Sequence, residues 1–302
     1  MRPYLLAVLA VATIASMLVG VTAANPVAAL EPAPTTASDL KPLPPPADIP
    51  DLTEVNPPLL CVDCDQPFDT DTHKTILLGL VSNPYIGELR EALYLQDTYH
   101  QFASKAHFDN CDFEEAADYV GELLAETERH IDDAIKAKAS GDQDSMKNAA
   151  LKAFFSIGQA LHGIQDFYAH SNYVELQAPT ATKVTDIPVI YLWRPEGRVR
   201  IKELQRSGLV SGVVFWGFPQ TCPSRSISHA NLAKDSAATK SGKVAVAHLQ
   251  NTSQYKIAVY LAREASLQLL IDAFQKWPLL KQLNGEAVAV DVLVDRRGLD
   301  AP

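Results

Sequence analysis

The chain has 302 residues, 47% hydrophobic and 21% charged, and its 36 Asp and Glu against 26 Lys and Arg give a formal net charge of −10. These values describe a globular protein with one sizeable core and exclude a wholly disordered, collagen-like or low-complexity chain. No basic run offsets the acidity, so nucleic-acid binding through a basic face is disfavoured, and an anionic substrate would need positive charge from elsewhere, most simply a bound metal.

The opening Met1-Arg2-Pro3 leads into an apolar run from Tyr4 to Val21 and then the small residues Thr22-Ala23-Ala24. This pattern predicts a signal peptide over residues 1–24 and a secreted or periplasmic protein. Left uncleaved, the run approaches the roughly 20 residues that span a bilayer and would make a membrane anchor. Residues 25–58 are rich in Pro and Ala, with prolines at 26, 32, 34, 42, 44, 45 and 46, and read as a linker or arm. A helical zinc-binding domain is expected over 59–285 and a tail over 286–302. The cysteines Cys61, Cys64, Cys111 and Cys222 are even in number. In an exported chain this favours structural disulfides, with three connectivities open.

From about Thr70 the apolar residues recur at i, i+3, i+4 and i+7, predicting helices over 71–82, 85–105, 113–138, 142–170 and 240–283. The expected fold is mainly α and single-domain. Asp112, Glu114 and Glu115 make an acidic first turn for the third helix, and Gly141-Asp142 separates it from the fourth. Between 180 and 217 the texture changes to short apolar and aromatic runs, Pro188 to Arg194 and Leu209 to Gly217, read as a small β-rich insertion. Its Ile190, Leu192, Trp193, Phe215 and Trp216, with Arg198, Arg200, Lys202 and Arg206 nearby, suit either a hairpin packed on the helices or contact with a phospholipid or membrane surface.

Chemistry concentrates in the fourth helix. His162, Asp166 and His170 recur at spacing four, which lays them along one stripe of a 3.6-residue helix. Imidazole nitrogens and carboxylate oxygens are zinc ligands, and an i, i+4 pair chelates without bending the backbone. The competing reading is a salt bridge that only orders the helix. Other segments also bring histidine together with carboxylate: His73 beside Asp71, His107 ahead of Asp109, and His229 ahead of Asp235. Four separated segments with this pairing suit a metal site assembled from several helices. His130 fits a solvated helix face, and His100 and His248 fit core or surface roles better than ligation.

The segment from Ala160 to Leu176 resembles the signature helix of the Het-C family, named for heterokaryon incompatibility. That family is in turn similar to bacterial zinc-dependent phospholipases C and to single-strand-specific fungal nucleases. The likeness to the phospholipases spans roughly residues 70–236 and rests on spaced ligands. It implies a multi-helix phospholipase C/nuclease-like bundle holding one to three zinc ions. His162, Asp166 and His107 would hold the first ion, His73 another that shares Asp166, and His170 and His229, with Asp235, a further one. Asp97 falls where the family has the carboxylate proposed to activate the attacking water.

The chain departs from that pattern in three places. The earliest tryptophan is Trp193, so an N-terminal Trp ligand is absent. His170 follows Asp166 by four positions where the phospholipases have a longer step, and Asp235 follows His229 by six. These departures favour one or two ions over three. The resemblance implies an exported zinc-dependent phosphodiesterase of phospholipase C type. The alternatives are a single-strand nuclease with the same metal site, or a non-catalytic Het-C-like module that binds membranes or partners and uses zinc structurally.

Overall fold

The computed structural model describes residues 70–77, 89, 92–97, 100, 103–214, 221–223, 226–283 and 286–287. The expectations for the signal peptide, the Pro-rich arm, Cys61, Cys64 and nearly all of the tail lie outside these residues. Within them the protein is mainly α-helical, as its periodicity predicts. Helix α1 (Thr70–Leu77) is followed by helical residues 92–97, then by α2 (Ser104–His107), α3 (Phe113–Ala139), α4 (Gln143–His170) and α5 (Tyr173–Gln177). After these come α6 (Pro195–Arg206), α7 (His229–Leu232) and α8 (Gln254–Lys276). Among the described residues, four short 3-10 helices and two short antiparallel pairs accompany them: β1 (Ala245–Val246) with β2 (Thr252–Ser253), and β3 (Gln282–Leu283) with β4 (Glu286–Ala287).

Helices α3 and α4 form a hairpin packed along their lengths. Most buried residues of α3 (Phe113, Ala116, Val120, Leu123, Thr127, Ile131 and Ala134) step by three or four, the spacing of an apolar stripe that Ala117 widens. The turn uses Gly141 at φ +79°, a left-handed conformation that glycine adopts without a Cβ penalty. Asp142 then caps α4, its side chain accepting from the Ser145 N–H.

Helix α4 is the centre of the protein. It is buried on every side from Ala160 to His170, with α3 and α8 packed against it. Helical residues 92–97 also approach closely, since a Cβ on Gly158 would stand 2.6 Å from the Ala92 Cβ. Ionisable side chains on so enclosed a helix must compensate one another or take up an ion, because an isolated buried charge costs several kcal/mol or more.

Three expectations are corrected. The fifth helix does not run over 240–283. It begins at Gln254, where Ser253 accepts from the Lys256 N–H as N-cap, and it ends at Lys276. The stretch predicted helical over 85–105 breaks before Ser104, with Ala103 extended at φ −100°, ψ 97°. The β-rich insertion at 180–217 is mostly not β. Pro195 occupies the first turn of α6, where its fixed φ suits a helix and its missing N–H is not needed, and among the described residues pairing in this region is limited to the bridges Ser171–Ser211 and Val213–Ser228. Ile190 and Leu192 are buried in the core and Trp193 is partly buried against it, while Phe215 and Trp216 lie outside the described residues. No described helix is long and apolar enough to cross a membrane.

Of the disulfide connectivities open from the sequence, Cys111 pairs with Cys222, tying the turn before α3 to the segment ahead of α7. Arg198 pairs with Asp118, Lys202 with Glu114 and Arg200 with Glu203, so these cations are engaged within the fold.

Candidate metal centre

All eight residues singled out in the sequence converge. The stripe on α4 supplies His162, Asp166 and His170. His73 comes from α1, Asp97 from the helical residues 92–97, His107 from the end of α2, His229 from the start of α7, and Asp235 from the bend after it. A run of left-handed residues (Phe108, Asn110 and Cys111) turns the chain sharply after His107 and brings Asp109 in as well.

Asp166 is the hub. Its Oδ2 lies 2.8 Å from His162 Nε2 and 2.9 Å from His107 Nδ1, and its Oδ1 lies 3.2 Å from His73 Nε2 and 4.0 Å from His170 Nε2. Asp97 Oδ1 stands 3.7 Å from His162 Nε2. Asp235 Oδ1 lies 3.1 Å from His170 Nε2, and Asp235 Oδ2 lies 3.5 Å from His229 Nε2. Three buried groups could each hold a metal ion: His73, His162 and Asp166; Asp97, His107 and His162; Asp109, His170 and His229.

Neighbouring hydrogen bonds decide which ring nitrogen faces the cluster. The Ser266 hydroxyl donates to the Ala262 carbonyl and accepts from Gln165 Nε2, which turns Gln165 Oε1 toward His73 Nδ1 at 2.6 Å. Nδ1 therefore carries the proton, and Nε2 points at Asp166. His107 Nε2–H donates to the His100 carbonyl at 3.2 Å, leaving Nδ1 inward. His170 Nδ1–H donates to the His107 carbonyl at 2.9 Å, leaving Nε2 inward.

That arrangement leaves acceptors facing acceptors. His107 Nδ1 looks at Asp166 Oδ2 at 2.9 Å and at His162 Nε2 at 3.1 Å, contacts that only a proton or a cation reconciles. Both Asp97 oxygens, Asp166 Oδ1 and His162 Nδ1 are buried without a hydrogen-bond partner among the described residues. Buried polar atoms are rarely left this way. Imidazole and carboxylate together form a donor set that divalent first-row metals accept, so these residues fit such an ion.

The electrostatics follow from burial and mutual charge. Burial pushes the Asp97 carboxyl up to about 7, against the pull of His73. Burial likewise drives His162 down to about 3. For His170, burial is outweighed by Asp166, Asp109 and Asp235, which hold it up at about 9. His162, His170 and His73 together overcome the burial of Asp166 and keep it well below the usual carboxylate range.

The remaining histidines stand apart. His130 pairs with Glu126 across one turn of α3, in keeping with a solvated face, and His248 Nε2 donates to the Ala178 carbonyl. His100 contributes its carbonyl rather than its ring. Sequence reasoning noted Asp109 only as a neighbour of His107, and it missed Gln165, Ser266 and Lys234. Lys234 is fully buried; its ammonium donates to the Ser171 and Leu232 carbonyls and pairs with Glu175 at 2.9 Å. It thereby secures the C-terminal end of α4 and holds the adjacent Asp235 beside His170. Each missed residue lies within two positions of a residue singled out in the sequence except Ser266, which carries no such signal.

Residues 93–184 match the family model described as the VWA7 N-terminal domain, a span that includes Asp97, His107, Asp109 and the whole stripe on α4. No curated protein and no solved structure matches the chain.

Proposed function

We propose that the protein is an exported zinc-dependent phosphodiesterase acting on phospholipid in the manner of a phospholipase C. The carrying observation is the convergence of four imidazoles, those of His73, His107, His162 and His170, on the single carboxylate of Asp166, with inward nitrogens and oxygens that need a cation between them. His162, Asp166, His107 and His73 would hold zinc on one side, and His170, His229 and Asp235 on the other. Bound zinc would make hydroxide available near neutral pH and offset the charge that develops on a phosphoryl group, which answers the acidity of the chain as a whole. Asp97 would accept the proton of the attacking water. Lipid is favoured over nucleic acid because 36 acidic residues outweigh 26 basic ones and no basic run offers phosphates a continuous positive track.

A second reading has one observation in its favour. His73, His162 and Asp166 are 0% exposed, the enclosure expected of a structural ion in a non-catalytic Het-C-like module. Metal analysis of the purified protein, followed by hydrolysis assays on phosphatidylcholine vesicles and single-stranded DNA with and without chelator, separates the readings. Retained zinc and chelator-sensitive lipid hydrolysis are expected. Faster cleavage of DNA would replace the lipase by a nuclease, and zinc with no turnover of either substrate would leave the structural role.

A further inference from the structure

We propose that Asp109 is a positioning residue that orients His229 as a metal ligand from behind and does not bind the ion itself. This assignment rests on the metal-centre reading above. Asp109 can be grouped with His170 and His229 as three neighbouring donors, but the direction of the two rings argues against ligation. His170 Nδ1 is committed to the His107 carbonyl, an acceptor that obliges this nitrogen to carry the proton. Its Nε2 faces Asp235 Oδ1 at 3.1 Å.

His229 is turned the same way. Its Nδ1 lies 2.9 Å from Asp109 Oδ1, and its Nε2 looks toward Asp235 Oδ2. Both imidazoles thus present Nδ1 to the 107–109 segment and Nε2 to Asp235. The space bounded by two Nε2 atoms and a carboxylate is where a cation meets lone pairs. Asp109 sits on the opposite side, where a carboxylate accepting from Nδ1–H fixes the tautomer and makes the far nitrogen a better donor.

The fold holds Asp109 there independently of any ion. Its own N–H donates to the Ser104 carbonyl, and Asn110 N–H donates to the Gly212 carbonyl. Cys111 N–H donates to the Ser211 hydroxyl. The same short segment reaches the two rings: Gly212 N–H donates to the His170 carbonyl, and His229 N–H donates to the Val213 carbonyl. A Cβ on Gly212 would stand 2.6 Å from the His229 Cα, so only glycine allows so close an approach.

The test uses the full zinc-loaded protein with nitrogen-15 histidine and long-range proton–nitrogen spectra, the His229 signals being assigned by their loss in His229→Gln. We expect His229 to carry its proton on Nδ1 and to bind zinc through Nε2. After dialysis, Asp109→Asn and Asp109→Ala should keep the wild-type number of zinc ions. The loosest ion should pass to a competing chelator about 10- to 100-fold more readily in Asp109→Ala, and less so in Asp109→Asn, whose amide oxygen still accepts from Nδ1–H. Asp235→Asn should lose that ion outright. Binding through His229 Nδ1, loss of an ion from Asp109→Asn as complete as from Asp235→Asn, or unchanged affinity in Asp109→Ala would each overturn the assignment while leaving the metal centre intact. Wild-type protein that takes up no zinc would overturn the metal centre itself and this role with it. Should Asp109→Ala fail to fold, the wild-type spectrum decides alone.

Discussion

Asp166 follows His162 by one helical turn, and its Oδ2 lies 2.8 Å from His162 Nε2 while remaining 0% exposed. A single carboxylate on the most enclosed helix thus gathers imidazoles from three other places in the chain: His73, His107 and the end of its own helix. Removing it takes away a shared ligand and also the negative charge that compensates the rings. We expect Asp166→Ala to lose the metal held with His162, His107 and His73. The metal-free variant should lose about 3–5 kcal/mol in urea denaturation, the usual cost of stripping one partner from a buried ionic cluster. Wild-type metal content in this variant would remove Asp166 from the centre.

Asp97 stands at the edge of the cluster and is 8% exposed. Replacement of its carboxylate by an amide should leave the ions held by Asp166 in place and lower turnover about 100-fold or more, the range of general-base catalysis. Full activity of Asp97→Asn in phospholipid hydrolysis would end its role as base.

The same residue predicts a pH dependence in metal-free protein. Burial raises its folded-state pKa to about 7 from an ordinary 3.8, so the folded protein holds this proton more tightly than the unfolded chain does. The stability Asp97 contributes is then full below about pH 4 and is lost as pH rises through about 7. Asn cannot ionise. Metal-free Asp97→Asn should therefore gain on wild type across that window and keep a constant margin above it, on the order of a few kcal/mol. Parallel melting temperatures from pH 4 to pH 8 would count against it.

How far the sequence announces this site depends on where each signal lies. The 162, 166, 170 stripe is legible because helical period and ligand chemistry coincide in one segment. His73, His107 and His229 are legible as pairs with nearby carboxylates, but that these pairs meet is a property of packing around α4, which no local pattern encodes. Asp109 looks from the sequence like any carboxylate near a histidine; its place behind His229 depends on three left-handed residues and on contacts with residues 211–213, about 100 positions away. The run from Pro188 to Arg194 misleads for a different reason. Ile190 and Leu192 are apolar because they are buried against the helices, and burial alone does not distinguish a strand from an irregular segment ahead of Pro195.

Gly158 offers a test of how the helices carry the site. Alanine is the better helix former by about 0.5–1 kcal/mol, so on propensity alone Gly158→Ala should stabilise α4. Its Cβ would instead meet the Ala92 Cβ at 2.6 Å and the Leu89 carbonyl oxygen at 3.0 Å, and the backbone oxygen cannot swing aside as a side chain would. Overpacking of this kind costs about 1–3 kcal/mol. We expect a net loss of stability in urea denaturation and lowered phospholipid turnover, because the displaced helix carries Asp97. A gain in stability would show that residues 89–97 are loosely docked.

The Cys111–Cys222 bridge spans 111 positions of sequence. Closing a loop of about 100 residues restricts the unfolded chain by an estimated 4.7 kcal/mol, and measured gains are more often about 2–4 kcal/mol. The corner it joins is also held by Cys111 N–H donating to the Ser211 hydroxyl at 2.8 Å and Asn110 N–H donating to the Gly212 carbonyl at 2.8 Å. Those bonds persist without the bridge, so its removal should act mainly on the unfolded state. We expect the double variant Cys111→Ser, Cys222→Ser to lose about 2–4 kcal/mol in urea denaturation while keeping wild-type metal content and the same loosest-ion affinity. Loss of an ion along with stability would mean that the bridge, rather than the hydrogen bonds around Ser211 and Gly212, sets the position of Asp109 and His229.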